Sequence, residues 1–213
     1  MGEALHPIRD LNEVYRIAGE LAAMEDERGR RMYLLWMVGV NMGLRVGDLI
    51  CLRVGDLRAD SYTYTPHKQR HKKGVRPITI PVPRDVREAV RERCAGMPDS
   101  AWLFQSRKKR EQRNRDPDRR ADRRENVGAI TRQTALRDMA EISRRCSVNM
   151  RIGCHTMRKT FGYHYYMTTK DLATLQKWFY HENPATTLIY IGVDFDRFKD
   201  MTDRSPFAGM GRQ

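Results

Sequence analysis

Four side chains in the C-terminal third of this chain carry groups suited to attack on a phosphate ester. His155 and Arg158 stand three residues apart in His-Thr-Met-Arg, so on a helix they project to the same side. A second imidazole, His181, follows, and nine residues beyond it comes a phenol, Tyr190. Far upstream, Arg45 sits in Gly-Leu-Arg-Val-Gly-Asp-Leu, positions 43–49, between two glycines that let backbone approach a bulky group. Breaking a phosphodiester without a metal needs a nucleophile, an in-line leaving group, neutralised nonbridging oxygens and proton transfer. A tyrosine hydroxyl supplies the first, guanidinium forks the third, and imidazoles the last. Singly, each residue has a plainer explanation: a surface ion pair for an arginine, a structural hydrogen bond for a histidine, a core position for one of nine tyrosines. Together they point to phosphodiester chemistry.

The elements that must carry them are legible from periodicity. His155 onwards reads as an amphipathic helix, with Met157, Phe161 and Tyr165 along one face. Leu172, Leu175 and Phe179 mark a second helix, which ends at Tyr180-His181-Glu182. Asn183 is a good N-cap and Pro184 a good first helical residue, so a third helix carries Tyr190. Further up the chain, Leu11, Val14, Tyr15, Ala18 and Leu21 fit one amphipathic helix between Ile8 and about Met24, broken at Asp26 to Gly29. An apolar helix from Arg30 to about Met42 is expected at the centre of the core, and a short one over Val46–Leu52. From Val54 to Pro83 the period changes: Ser61–Thr65 and Pro77–Val82 read as strands joined through the basic tip His67–Gly74. Helices then follow over Pro83–Cys94, with Asp85 as a possible cap, and over Thr131–Cys146, with Leu136, Met139 and Ile142 inward. The expected fold is mixed α+β, mainly α-helical with a small antiparallel β-sheet.

Composition narrows the partner. Lys and Arg number 40 against 27 Asp and Glu, a net charge of +13, and arginine predominates. That balance is the electrostatic footprint of a nucleic-acid-binding surface, although charge alone does not separate DNA from RNA or an anionic membrane. Between Arg107 and Arg124 alone there are ten Lys and Arg with no apolar periodicity, so positions 106–126 read as a mobile basic insertion. No apolar run is long enough to span a bilayer, and MGEALHPIRD lacks the apolar core of a signal peptide, which makes a cytoplasmic protein the expectation. The four cysteines are scattered, which argues against a disulfide framework or a zinc knuckle.

The order and spacing of these motifs, G-L-R-x-x-D-L, H-x-x-R, His and then Tyr, resemble the catalytic domain of the tyrosine recombinase (phage integrase) family over nearly the whole chain. The resemblance implies a DNA breaking-and-rejoining enzyme acting on double-stranded DNA through a 3′-phosphotyrosine, with no metal and no nucleotide cofactor. Tyr190 would be the nucleophile, and Arg45 and Arg158 would fork onto the scissile phosphate. His155 would bind the phosphate or take the tyrosyl proton, and His181 would donate to a nonbridging oxygen. Asp48 would hold the Arg or His in place. In the family a lysine on the β-hairpin protonates the leaving 5′ oxygen. Lys68 matches that position best, with Lys72 and Lys73 as alternatives. Arg70, Lys72 and Lys73 on the tip, and Arg107, Lys108, Lys109 and Arg110 on the insertion, would contact DNA.

Two departures from the family pattern stand out: Tyr180 occupies a position that usually holds Gly, and Glu182 one that usually holds Ser. The family's separate N-terminal core-binding domain has no counterpart, so 1–213 reads as one catalytic domain, either naturally single or excised. After Tyr190, Phe195, Phe198 and Met201 form an apolar stripe on a tail helix at about 194–203. It would pack on its own domain or, as the resemblance implies, dock into a neighbouring protomer of a homotetramer on DNA. The alternatives in function are a type IB topoisomerase-like relaxing enzyme and a non-catalytic DNA-binding protein on the same fold.

Overall fold

Everything in the fold leans on one long helix. In the computed structural model, described for residues 5–67, 74–106 and 128–204, α2 (Glu27–Met42) buries Met32, Leu34, Leu35, Trp36, Val38 and Met42 at the centre of the main core. Asp26 caps it, accepting from the Gly29 N–H, so Asp26 and Glu27 open this helix where a break running to Gly29 was expected. Ahead of it α1 (Leu11–Ala22) is capped by Asp10 and packs through Val14, Ile17 and Leu21. Leu11 and Tyr15, expected on that stripe, are exposed instead.

Beyond α2 come the short helices α3 (Val46–Leu49) and α4 (Val54–Arg58), the second of which the sequence reading missed. It is only five residues long and is set by a cap, the Asp56 carboxylate accepting from the Arg53 N–H at 2.8 Å. Strands β1 (Ser61–Tyr64) and β2 (Ile78–Pro81) pair antiparallel, Ser61 opposite Pro81 and Tyr64 opposite Ile78. Helix α5 (Arg84–Arg93) is entered through Pro83, not capped by Asp85, which lies within its first turn. In α6 (Arg132–Arg145), Met139 and Ile142 face inward as expected but Leu136 does not: it is exposed, and Asp138 is buried in its stead. Asp138 tolerates burial because Arg28 and Arg31 pair with its two oxygens at 3.0 and 2.7 Å.

Four more helices build the C-terminal half: α7 (Cys154–Thr169), α8 (Leu172–Phe179), α9 (Pro184–Ile191) and α10 (Val193–Asp203). Helix α7 packs along α2, and α9 lies against α7 and α8. A second, small core forms there from Leu175, Phe179, Ile191 and Val193. The segment ahead of α1 straps across α7. The Ile8 N–H donates to Thr160 Oγ1 at 2.9 Å, and Lys159 Nζ donates to the Leu5 carbonyl at 2.7 Å. It ends on the tail helix, where Arg9 pairs with Asp196 at 2.7 Å and lies over the rings of Tyr163 and Phe195. Lys68, Arg70, Lys72, Lys73, Arg107, Lys108, Lys109 and Arg110 fall outside the described residues.

Candidate active site

Helix α2 ends at Gly43 in the left-handed conformation (φ 58°), where a β-carbon would lie 2.4 Å from the Phe161 ring. That sharp exit makes Arg45 the N-cap of α3 and turns its side chain toward α8. Arg158 arrives from the first turns of α7 and is 2% exposed. Between the two guanidinium groups lies one backbone oxygen. The Phe179 carbonyl accepts from Arg45 Nη2 at 2.9 Å and from Arg158 Nη2 at 3.1 Å. Arg158 also donates to the Gly43 carbonyl at 2.5 Å, and its guanidinium lies 3.9 Å from the centre of the Phe179 ring. Trp178 Nε1 donates to the Met42 carbonyl, fastening α8 to the end of α2 beside this pair.

Two cations thus share one acceptor in a place with little water. Burial and the neighbouring Arg45 pull Arg158 down to about 10, still charged at neutral pH. Arg45 Nη1 is buried with no hydrogen-bond partner among the described residues, a donor set for an anion. Tyr64, 7% exposed at the end of β1, likewise holds a buried hydroxyl without a partner, within the field of both arginines.

The nucleophile candidate meets this pair from α9, whose start follows its sequence signal: Asn183 accepts from the Ala185 N–H and Pro184 is the first residue. Tyr190 Oη lies 3.0 Å from His155 Nδ1, and the Tyr190 ring meets the rings of His181 and Phe179 edge-on. Burial raises its phenol, and Arg158 and then Arg45 oppose that. His181 Nδ1 lies 3.0 Å from the hydroxyl of buried Thr187. With that hydroxyl donating, the ring proton sits on Nε2, the nitrogen left to meet a substrate. Burial, Arg158 and Arg45 hold this imidazole at about 4, so it is neutral at physiological pH.

Arg45, His155, Arg158, His181 and Tyr190, spread over 146 positions of sequence, therefore converge on one site. Asp48 is close by but does a different job from the expected one. Its buried carboxylate accepts from the His67 backbone N–H at 2.7 Å, and among the described residues it pairs with neither an arginine nor an imidazole of the site. The sequence reading missed Phe179 and Thr187. The Asn183-Pro184 start placed Thr187 on the Tyr190 helix, one turn before Tyr190, but no signal marks a carbonyl that two arginines will share.

A mainly helical fold with a two-stranded sheet and this arginine–histidine–tyrosine site defines a class, and sequence comparison agrees. The model of the phage integrase family matches residues 10–197, and the chain belongs to that family of tyrosine-type site-specific recombinases. It is 31% identical over 192 residues to the probable integrase/recombinase YoeC of Bacillus subtilis (strain 168), covering 90% of this chain and 92% of that protein. Among solved structures it resembles XerA recombinase (TM-score 0.65, 19% identity), covering 94% of this chain and 64% of that one. It also resembles XerH recombinase bound to palindromic difH substrate in a post-cleavage complex (TM-score 0.63, 17% identity), covering 94% and 54%. The chain thus spans nearly all of YoeC but less than two thirds of either solved recombinase.

Proposed function

We propose that this chain cleaves and rejoins double-stranded DNA at a specific site through a 3′-phosphotyrosine at Tyr190. The observation that carries the reading is Arg45 Nη1, a buried donor without an acceptor, beside a second guanidinium and within a site that also holds Tyr190. Tyr190 Oη would attack phosphorus as the bond to the 5′ oxygen breaks, its proton passing to His155 Nδ1. Arg45, Arg158 and the His181 Nε2 proton would stabilise the nonbridging oxygens. The leaving 5′ oxygen takes a proton from a hairpin lysine, Lys68 or else Lys72 or Lys73. Attack by a new 5′ hydroxyl reverses each step and reseals the strand. That XerH has been captured with its DNA substrate after cleavage supports DNA as the partner. We further infer that the protein works in the cytoplasm as a tetramer, α10 docking into a neighbour through Phe195, Phe198 and Met201, which are 58, 64 and 70% exposed.

Duplexes recovered by selection from a random-sequence library provide the test. Stopped with detergent, the protein should carry a covalently attached strand at its 3′ end. Tyr190→Phe should abolish the adduct and leave affinity within about twofold, since a single hydroxyl is lost. A normal adduct yield from that variant would overturn the assignment. Adducts at every sequence, with relaxation of supercoils and no exchange between duplexes, would favour the topoisomerase-like alternative.

A further inference from the structure

Tyr180 stands between the two functional halves of the site, immediately after the carbonyl that both arginines share and immediately before His181. It adopts the left-handed conformation, φ 50° and ψ 44°, which glycine enters freely and a β-carbon disfavours. Strain of that kind persists at a site only where surrounding contacts enforce it. Here the enforcing contact is at the far end of the side chain. Tyr180 Oη donates to the Arg76 carbonyl at 3.0 Å, two residues ahead of β2. Arg76 lies just ahead of Ile78, whose pairing with Tyr64 is the end of the β1–β2 ladder, so one phenol holds β2 at its entry. The other arm is fixed in the same manner, the His67 N–H donating to Asp48 beside Arg45. Both roots of the β-hairpin are therefore tied to the two segments that present the arginine pair and His181.

We propose that Tyr180 is a positioning residue that registers the root of the β1–β2 hairpin against the phosphate-binding residues, a connection that glycine at this position cannot make. The inference rests on the strand-transfer reading above. Its test compares wild type, Tyr180→Phe and Tyr180→Gly on a nicked duplex of the selected sequence, measuring the single-turnover rate of adduct formation, DNA affinity and hydrogen exchange at the Ile78 amide. Tyr180→Phe keeps the ring and the backbone strain but loses the hydroxyl, whereas Tyr180→Gly relieves the strain and loses ring and hydroxyl alike. Both should form adduct about tenfold more slowly, exchange the Ile78 amide several-fold faster, and bind DNA within about twofold of wild type. A shared loss in one strained and one relaxed variant would tie the effect to the hydroxyl. An undiminished rate in Tyr180→Phe, or a Tyr180→Gly enzyme as fast as wild type, overturns the inference while wild-type adduct upholds strand transfer. No adduct from wild type would overturn both.

Discussion

The two halves of the active site are built to different standards. Arg158 rises from a helix packed along α2, against a core that runs from Ile8 to Met157, and its guanidinium is held by two carbonyls and an aromatic face. Tyr190 rides on an eight-residue helix with only Thr187 and Ile191 buried, over a second core of four residues. Its neighbour Ile189 is 66% exposed. Electrostatic stabilisation needs charges that do not move as the reaction proceeds, and dense packing supplies that. A nucleophile that becomes covalently attached to a strand and later releases it gains from a lightly packed carrier. On the strand-transfer proposal, the contrast teaches that rigidity is placed here according to which group must travel.

The sharpest way to break the comparison is on the rigid side. Arg158→Ala leaves the Gly43 carbonyl without its donor and the Phe179 carbonyl with Arg45 alone, and opens a hole beside the Phe179 ring. Adduct formation should fall by about a thousandfold or more, and the fold should lose about 2 kcal/mol or more in urea unfolding. An Arg158→Ala protein as stable as wild type would show that the pocket is not held through this residue.

On the lightly packed side the expected loss is smaller and of a different kind. A β-carbon on Gly162 of α7 would fall 2.7 Å from Ile191 Cγ2 and 2.8 Å from the Phe179 ring, so Gly162→Ala must push α9 or α8 away. Overpacking of this sort costs about 1–3 kcal/mol. Adduct formation should slow by about a hundredfold through displacement of Tyr190. Unchanged hydrogen exchange along α9 in this variant would contradict the account.

A weaker effect should appear in the pH dependence of stability. His181 is held at about 4 against an ordinary 6.5, by burial first and then by Arg158 and Arg45. A histidine depressed on folding prefers its neutral form in the native state, so between those values the unfolded chain binds more protons. Its contribution is therefore present above about 6.5 and is lost as pH falls toward 4. Urea unfolding at pH 5 and 7 should show a smaller difference in His181→Asn than in wild type, and an identical difference would reject the assignment. Smallest of all on the chemistry should be Phe198→Glu on α10, where the side chain is exposed. Adduct formation by single protomers should stay within about twofold, while exchange between duplexes fails if the tail docks in trans.

How much of this was legible beforehand differs between the same two halves. The Asn183-Pro184 start, the three-residue spacing of His155 and Arg158 and the glycine ahead of Arg45 are local signals, and they positioned three helices and most of the site. What escaped depends on contacts between distant segments. Every residue carries a carbonyl, so nothing marks Phe179 as the one shared by Arg45 and Arg158. Leu136 was expected inward on hydrophobicity, but the pairing of Asp138 with Arg28 and Arg31, from a helix more than a hundred residues away, accompanies a different burial face. Asp48 was legible as a residue that would hold the Arg or His in place, but not that its partner would be the backbone of His67.

The grip of Arg9 on Asp196 makes any capture of the tail helix by a neighbour a competition. Both side chains are about one-third exposed, and a pair of that kind is worth about 1 kcal/mol at most. It would lower the apparent affinity of the tail for a second protomer by no more than about fivefold. Salt screens such a pair, and salt also weakens contacts between lysines or arginines and phosphate. Raising ionic strength would therefore loosen the protein from DNA while freeing its tail for another copy, pulling the two associations in opposite directions.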